Sequence, residues 1–181
     1  SHVVAARRHP CKGQQSAAGN ALLSFTGVAP GSYYVAVDHR NHLAAMTAAP
    51  VDLSAAPLVD FTDIAVDFYH ISANYDGAEQ ATVNSAYALW AGDASGNEQV
   101  VFSGSGNDVD RIFNDIDQAP GNLLKLPSYI LDGYAATDLD LGGSVVFNGQ
   151  GNDVNVIFNI VNSHPANALG VQAFVITSQV P

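Results

Sequence analysis

Val109, Ile112, Phe113 and Ile116 fall at i, i+3, i+4 and i+7, and Val154, Ile157, Phe158 and Val161 repeat that spacing. Each set lays one apolar stripe on a helix. An Asn-Asp pair precedes each stripe, Asn107-Asp108 and Asn152-Asp153. Such side chains accept the free amides of a first helical turn, so each pair predicts a helix start. The two helices belong to a longer duplication. Gly92–Phe113, GDASGNEQVVFSGSGNDVDRIF, is answered by Thr137–Phe158, TDLDLGGSVVFNGQGNDVNVIF. The register continues through Pro120 and Pro165, Asn122 and Asn167, and Tyr129-Ile130-Leu131 and Phe174-Val175-Ile176. Residues 92–136 and 137–181 are therefore read as two copies of one unit.

Upstream the pattern shortens to that of strands. Leu22–Phe25, Tyr33–Val37, Leu43–Thr47, Val51–Leu53, Leu58–Phe61 and Ile64–His70 are brief runs rich in β-branched and aromatic residues, parted by turn residues such as Pro30-Gly31. Closely spaced strands of this kind predict an antiparallel β-sandwich. Asn74–Val83 is polar, with Asp76-Gly77 as a turn, and reads as a connecting or exposed segment before Tyr87–Trp90. The expected fold is α+β and mainly β. It divides into an arm (1–20, with Val3–Ala6 as a candidate strand), a sandwich (21–72), a connector (73–91) and the tandem repeats (92–181).

Composition narrows the partners. The chain has 181 residues with 48% hydrophobic, enough to fill a core. No apolar run approaches bilayer-spanning length. The net charge of −11 argues against nucleic acid, which needs clustered Lys and Arg, and favours cations. Arg7, Arg8 and Lys12 supply half of the basic residues ahead of the first acid, Asp38, so a basic arm precedes an acidic body. Cys11 stands alone, which excludes an intrachain disulfide. The sequence opens without Met or a signal peptide and reads as a mature or partial chain. Few basic residues, with Gly, Asn, Ser and Thr in every turn, suggest a secreted bacterial surface domain.

The repeats open with oxygen-rich loops. With Asp93 as position one, Ser95 and Asn97 stand at three and five, Gln99 at seven and apolar Val100 at eight. The second copy places Asp138, Asp140, Gly142, Ser144 and Val145 at one, three, five, seven and eight, with Gly143 at six. Ca²⁺ requires several oxygens converging on one point, and this is the spacing of the front half of an EF-hand loop. Val100 and Val145 are then candidates for a small bridge joining the loops. The closing carboxylate is displaced: position twelve is Gly104 or Gly149, and acids arrive only at sixteen, as Asp108 and Asp153. Closing a site with them requires Ser103–Gly106 to loop out. Helix capping is the plainer role for Asp108 and Asp153, and the two roles are compatible.

Two resemblances follow. SFTGVAPGSYYVAVDHRNHL, Ser24–Leu43, resembles a hairpin of prealbumin-like and Cna-B-type sandwiches, structural modules of secreted and cell-surface proteins. Those domains are longer, which implies missing strands and an open edge that a neighbouring chain fills by strand addition. The duplicated loop-then-helix resembles dockerin-like paired Ca²⁺ loops. Residues 24–181 together look like a C-terminal region of large secreted proteins of bacteria such as Bacteroidota. That likeness implies a non-catalytic surface module, with Asp93, Asn97, Asp108, Asp138, Asp140 and Asp153 as loop ligands.

Other chemistry is thin. His39-Arg40-Asn41-His42 has metal-ligand spacing without a third ligand nearby, and a hydrogen-bonded loop is the better reading. No P-loop, dinucleotide fingerprint or nucleophile elbow is present. Trp90, Tyr33, Tyr34, Tyr129 and Tyr134 could line a sugar-binding face, though strand aromatics are more often core. The favoured expectation is an extracellular structural or adhesive module, calcium-stabilised and self-assembling into a surface fibre by strand addition or arm docking. Its partner is another copy or another surface protein. The alternative is a docking or carbohydrate-binding module appended to a secreted enzyme.

Overall fold

The computed structural model describes residues 3–7, 28–55 and 57–181. The fold is α+β and mainly β, built of small sheets and two helices.

The N-terminal sheet centres on β2 (Ser32–His39), the Tyr-Tyr-Val-Ala-Val run. β3 (His42–Met46) and β4 (Val51–Asp52) lie antiparallel along one edge of it. Between them Thr47 fills the gap, its N–H donating to the Val35 carbonyl and its Oγ1 accepting from Val35 N–H. The other edge carries β1 (Val3–Arg7), which pairs parallel to β2 from Val3–Tyr34 to Arg7–Asp38. This changes two expectations. The pairing on that edge is parallel, and the edge is occupied by the chain's own arm instead of standing open. Among the described residues one sheet is seen here; Leu22–Phe25, Arg8, Cys11 and Lys12 lie outside them.

Leu58–Phe61 and Ile64–His70 do not form ladder strands. Asp60 Oδ1 accepts from the Thr62 amide and hydroxyl, and Asp63 Oδ1 from the Ala65 amide. These local turns take the backbone donors that a ladder would use. Only Phe68 bridges to Thr47, and it is buried against Phe61 and Tyr87. The connector 73–91 contains a short helical turn (Ala73–Tyr75) and the hairpin of β5 (Ala81–Val83) and β6 (Ala86–Ala88). It also enters the core. Tyr75 and Trp90 are buried with Leu43 among the repeat residues, and the Trp90 indole N–H donates to the Ala78 carbonyl.

Each repeat has a loop, a strand, a helix and a second strand: β7 (Gln99–Val101), α1 (Asp108–Asp117) and β8 (Ile130–Asp132), then β9 (Ser144–Val146), α2 (Asp153–Ser163) and β10 (Val175–Thr177). Asn107 and Asn152 cap the helices, accepting from Asp110 and Asn155 and donating to the Gly104 and Gly149 carbonyls. Past each helix a buried Asn fixes the exit. Asn122 donates to the Ile116 and Leu126 carbonyls and accepts from Leu126 N–H. Asn167 makes the same three bonds with Val161 and Val171.

The copies interlock. β7 pairs with β10, and β9 with β8, so each small sheet takes one strand from each repeat. Val100 therefore faces Ile176, and Val145 faces Leu131. The expected bridge between Val100 and Val145 is absent because each loop strand is claimed by the terminal strand of the other copy. Phe102 meets Phe158 and Phe113 meets Phe147, both edge to face at 5.2 Å. Every such contact has its counterpart 45 residues on, which defines an internal pseudo-twofold axis. Val100, Ile112, Val145, Ile157 and Ile176, fully buried, close around it.

Replacing Asn122 or Asn167 by Ala leaves three backbone groups without their partner. Each variant is expected to lose about 2–3 kcal/mol in denaturant unfolding, with similar losses at the two equivalent sites.

Candidate cation loops and their wiring

The acids at helix position one organise both loops. Asp108 is buried at the first residue of α1 and reaches back across the Ser103–Gly106 turn, exposed from Gly104 on. Its Oδ1 accepts from Ser95 N–H at 3.0 Å and its Oδ2 from Val101 N–H at 2.8 Å. Asp153 does the same in the second copy, taking Leu139 N–H at 2.6 Å, Asp140 N–H at 3.4 Å and Val146 N–H at 2.8 Å. The looping-out that a displaced closing acid requires is therefore present in both copies. Burial pushes the Asp108 carboxyl up to about 6; the two amides pull it back, and the charge of Asp93 adds to the rise. Burial likewise raises Asp153, with Asp140 adding to it. A carboxyl with a raised folded-state pKa favours folding below its unfolded pKa, and that contribution is lost as pH rises through the folded value. At neutral pH Asp108 is thus held charged at a cost, and burial acts on Asp153 in the same direction.

The first loop is closed by amides. Asp93 Oδ1 accepts from Gly96 and Asn97 N–H at 2.7 and 3.0 Å and from the Ser95 hydroxyl; its Oδ2 accepts from Glu98 N–H at 2.9 Å. Asn97 Oδ1 accepts from Gln99 N–H, and Gln99 itself opens β7. Position three is Ser95, so this loop offers two carboxylates.

The second loop is different. Asp138, Asp140 and Asp153 bring one carboxylate oxygen each within 4.8 Å of the others, a cluster that could hold a metal ion. Asp138 is fully buried, and its Oδ2 accepts from Gly143 N–H at 3.2 Å. Its Oδ1 is buried with no hydrogen-bond partner. Asp140 Oδ1 accepts from Gly142 N–H at 2.8 Å, and a Cβ at Gly142 would stand 2.8 Å from the same oxygen, so a side chain there would displace the acid. Ser144 begins β9 opposite Asp132. The backbone turns left-handed at positions four and six of both loops: Gly96 and Glu98 in one, Leu141 and Gly143 in the other. Each copy thus places a side-chain-bearing residue where glycine is favoured, at a different position in each.

Sequence reasoning missed the neighbours of Asp138. Arg40 and Asn41 sit on the turn between β2 and β3. The Arg40 guanidinium lies 3.7 Å from Asp138 Oδ2 and over the Tyr134 ring. Asn41, fully buried, donates to the Asp138 carbonyl at 2.7 Å and accepts Gly92 N–H on its own carbonyl. Because the Asn41 amide nitrogen is engaged there, its oxygen faces His42, whose Nδ1 lies 2.8 Å away and 2.9 Å from His39 Nδ1. The His39–His42 turn is a hydrogen-bonded connector to the second loop. Nothing in the local spacing signals a contact 97 residues distant.

His164 ends α2 and stacks among Tyr75, Trp90 and Phe174, where copy one has only Ala119. Of the aromatics weighed for sugar binding, Trp90 is core, Tyr33, Tyr34 and Tyr129 are half-buried, and Tyr134 is exposed. No helix among the described residues is long and apolar enough to cross a membrane. Comparison with family models, curated proteins and solved structures finds no match to the chain.

Burial lowers His164 and His42 to about 4 each. The stability they contribute is complete above about pH 6.5 and drains away as pH falls toward 4. Asp108 acts in the opposite sense, gaining between about 6 and 3.8. Replacing His164 by Phe is expected to reduce the fall in melting temperature between pH 7 and pH 4, measured by circular dichroism.

Proposed function

We propose that this chain is a non-catalytic, extracellular structural or adhesive module of a bacterial surface protein, with Ca²⁺ held by the second repeat loop. The observation that carries the reading is Asp138, which keeps a buried carboxylate oxygen, Oδ1, without a donor and clusters with Asp140 and Asp153. Crowded acids repel, and Arg40 offsets only part of that charge. A hard divalent cation satisfies the vacant oxygen and offsets the desolvation of the buried Asp153 carboxyl. The first loop, where backbone amides occupy every oxygen of Asp93 and Asp108, is the amide-closed counterpart and needs no ion to hold its shape. The loop acids serve structure throughout, which supports a module without catalysis. Composition and the dockerin-like pairing support the extracellular setting. The alternative of a carbohydrate-binding module has less support, given the burial of Trp90.

Metal-free protein melted in Ca²⁺ and in EGTA tests the loop. At a hundredfold excess over Kd a single site adds about 2.7 kcal/mol. For a chain of this size that corresponds to a rise of roughly 5–10 °C. Asp138→Asn should abolish the rise; equal melting of the parent in Ca²⁺ and EGTA would refute the site.

Assembly, in this reading, proceeds by exchange of β1. A parallel strand laid on β2 from the start of the chain is a segment that another copy can supply through the same register. Removing residues 1–7 is expected to leave the protein folded and monomeric at concentrations where the full chain forms higher species on size-exclusion chromatography. Unchanged assembly would exclude arm exchange.

A further inference from the structure

A second group of ligand-bearing residues lies away from the repeat loops. Asp67, His70 and Glu79 each place one ligand atom within 4.8 Å of the others. Asp67 and His70 flank the stretch that runs beside β3, held by Tyr69 N–H on the Met46 carbonyl and anchored by buried Phe68. Glu79 comes from the connector, positioned by Gly77 N–H on its Oε1 at 3.2 Å. Its side chain is 5% exposed and that of His70 30%.

His70 Nδ1 lies 2.9 Å from Glu79 Oε1. The pair nevertheless lacks hydrogen-bond alignment: Nδ1 is buried and has no hydrogen-bond partner. With Asp67, this imidazole-carboxylate pair converges within 4.8 Å, a spacing that lets all three residues face one ion. Donors at tetrahedral Zn²⁺ bond lengths stand about 3.3 Å apart.

We propose that Asp67, His70 and Glu79 form a transition-metal site of the Zn²⁺ class. One imidazole nitrogen with two carboxylates is a borderline donor set; imidazole suits Zn²⁺, whereas Ca²⁺ takes oxygen alone. A divalent cation also supplies the charge that the buried Glu79 carboxylate requires. Three protein ligands leave a fourth position for water or a partner's group. Bound metal would clamp the 57–70 stretch to the connector. Those segments are also joined by the Gln80 side chain on the Phe61 carbonyl, Tyr87 N–H on the Thr62 carbonyl and the packing of Phe68 on Tyr87. The site is separate from the Ca²⁺ loop and does not depend on it.

The test titrates the metal-free full chain with Zn²⁺ by calorimetry and with Co²⁺ by visible absorption. One tight equivalent is expected, with low-symmetry Co²⁺ bands and a raised melting temperature in Zn²⁺. His70→Asn and Asp67→Asn change exposed or half-exposed side chains and should leave the fold intact. The first should weaken Zn²⁺ beyond the roughly 10–100-fold loss typical of an outer partner, and the second at least about tenfold. Asp138→Asn should leave Zn²⁺ binding unchanged while removing the Ca²⁺ effect, which separates the two sites. Absence of a stoichiometric Zn²⁺ event overturns the proposal. So does a tight event unchanged in both His70→Asn and Asp67→Asn, which would place the metal on other histidines of the chain.

Discussion

A buried carboxylate at the first residue of each repeat helix fixes the geometry of everything around it. Asp108 and Asp153 each join three segments: the helix that carries them, the start of the preceding loop and the strand between. Charge-assisted bonds to backbone amides are stronger than neutral ones, and at a helix start the macrodipole adds to them. The price is desolvation, seen in the raised pKa of both acids. Loop shape, strand position and helix direction are thereby set by one side chain per copy.

The two wired units are incomplete alone. Each loop strand is paired by the terminal strand of the other copy, and each phenylalanine of the helix faces a phenylalanine beside the other loop. This is an isologous interface within one chain. Neither copy can bury Val100 or Val145 without the other, so the C-terminal half forms one core from two repeats. The connector and the turn between β2 and β3 then lean on that core through Tyr75, Trp90, Leu43 and Asn41.

The pseudo-symmetry also exposes where the copies have parted. Ser95 against Asp140 removes an acid from the first loop, and amides close over Asp93. Ala119 against His164 confines the aromatic cluster to the second copy. The side chains of Arg40 and Asn41 reach the second loop, while the Asn41 carbonyl takes Gly92 N–H at the start of the first copy. In the second copy, Asp138, His164 and Thr177 meet Arg40, Asn41, Tyr75 and Trp90 of the N-terminal sheet and connector.

The sequence by itself determined the duplication, the two helices with their Asn caps and the central strands, because these rest on local spacing: apolar periodicity, capping oxygens and β-branched runs. It also placed an Asn-Asp pair at each helix start, where the structure gives the cap to Asn107 and Asn152 and the loop contacts to Asp108 and Asp153. Tertiary structure alone decided which strand pairs with which. Val100 and Val145 are apolar at the right spacing for a mutual bridge, but periodicity records a buried face and carries no information about its partner. It likewise decided that Asp60 and Asp63 would break two apparent strands and that the arm would lie parallel on β2. Only the folded chain put Asp138 beside Arg40 and Asn41, and Glu79 beside Asp67 and His70, since contacts between distant segments depend on how the layers close and leave no mark on neighbouring residues.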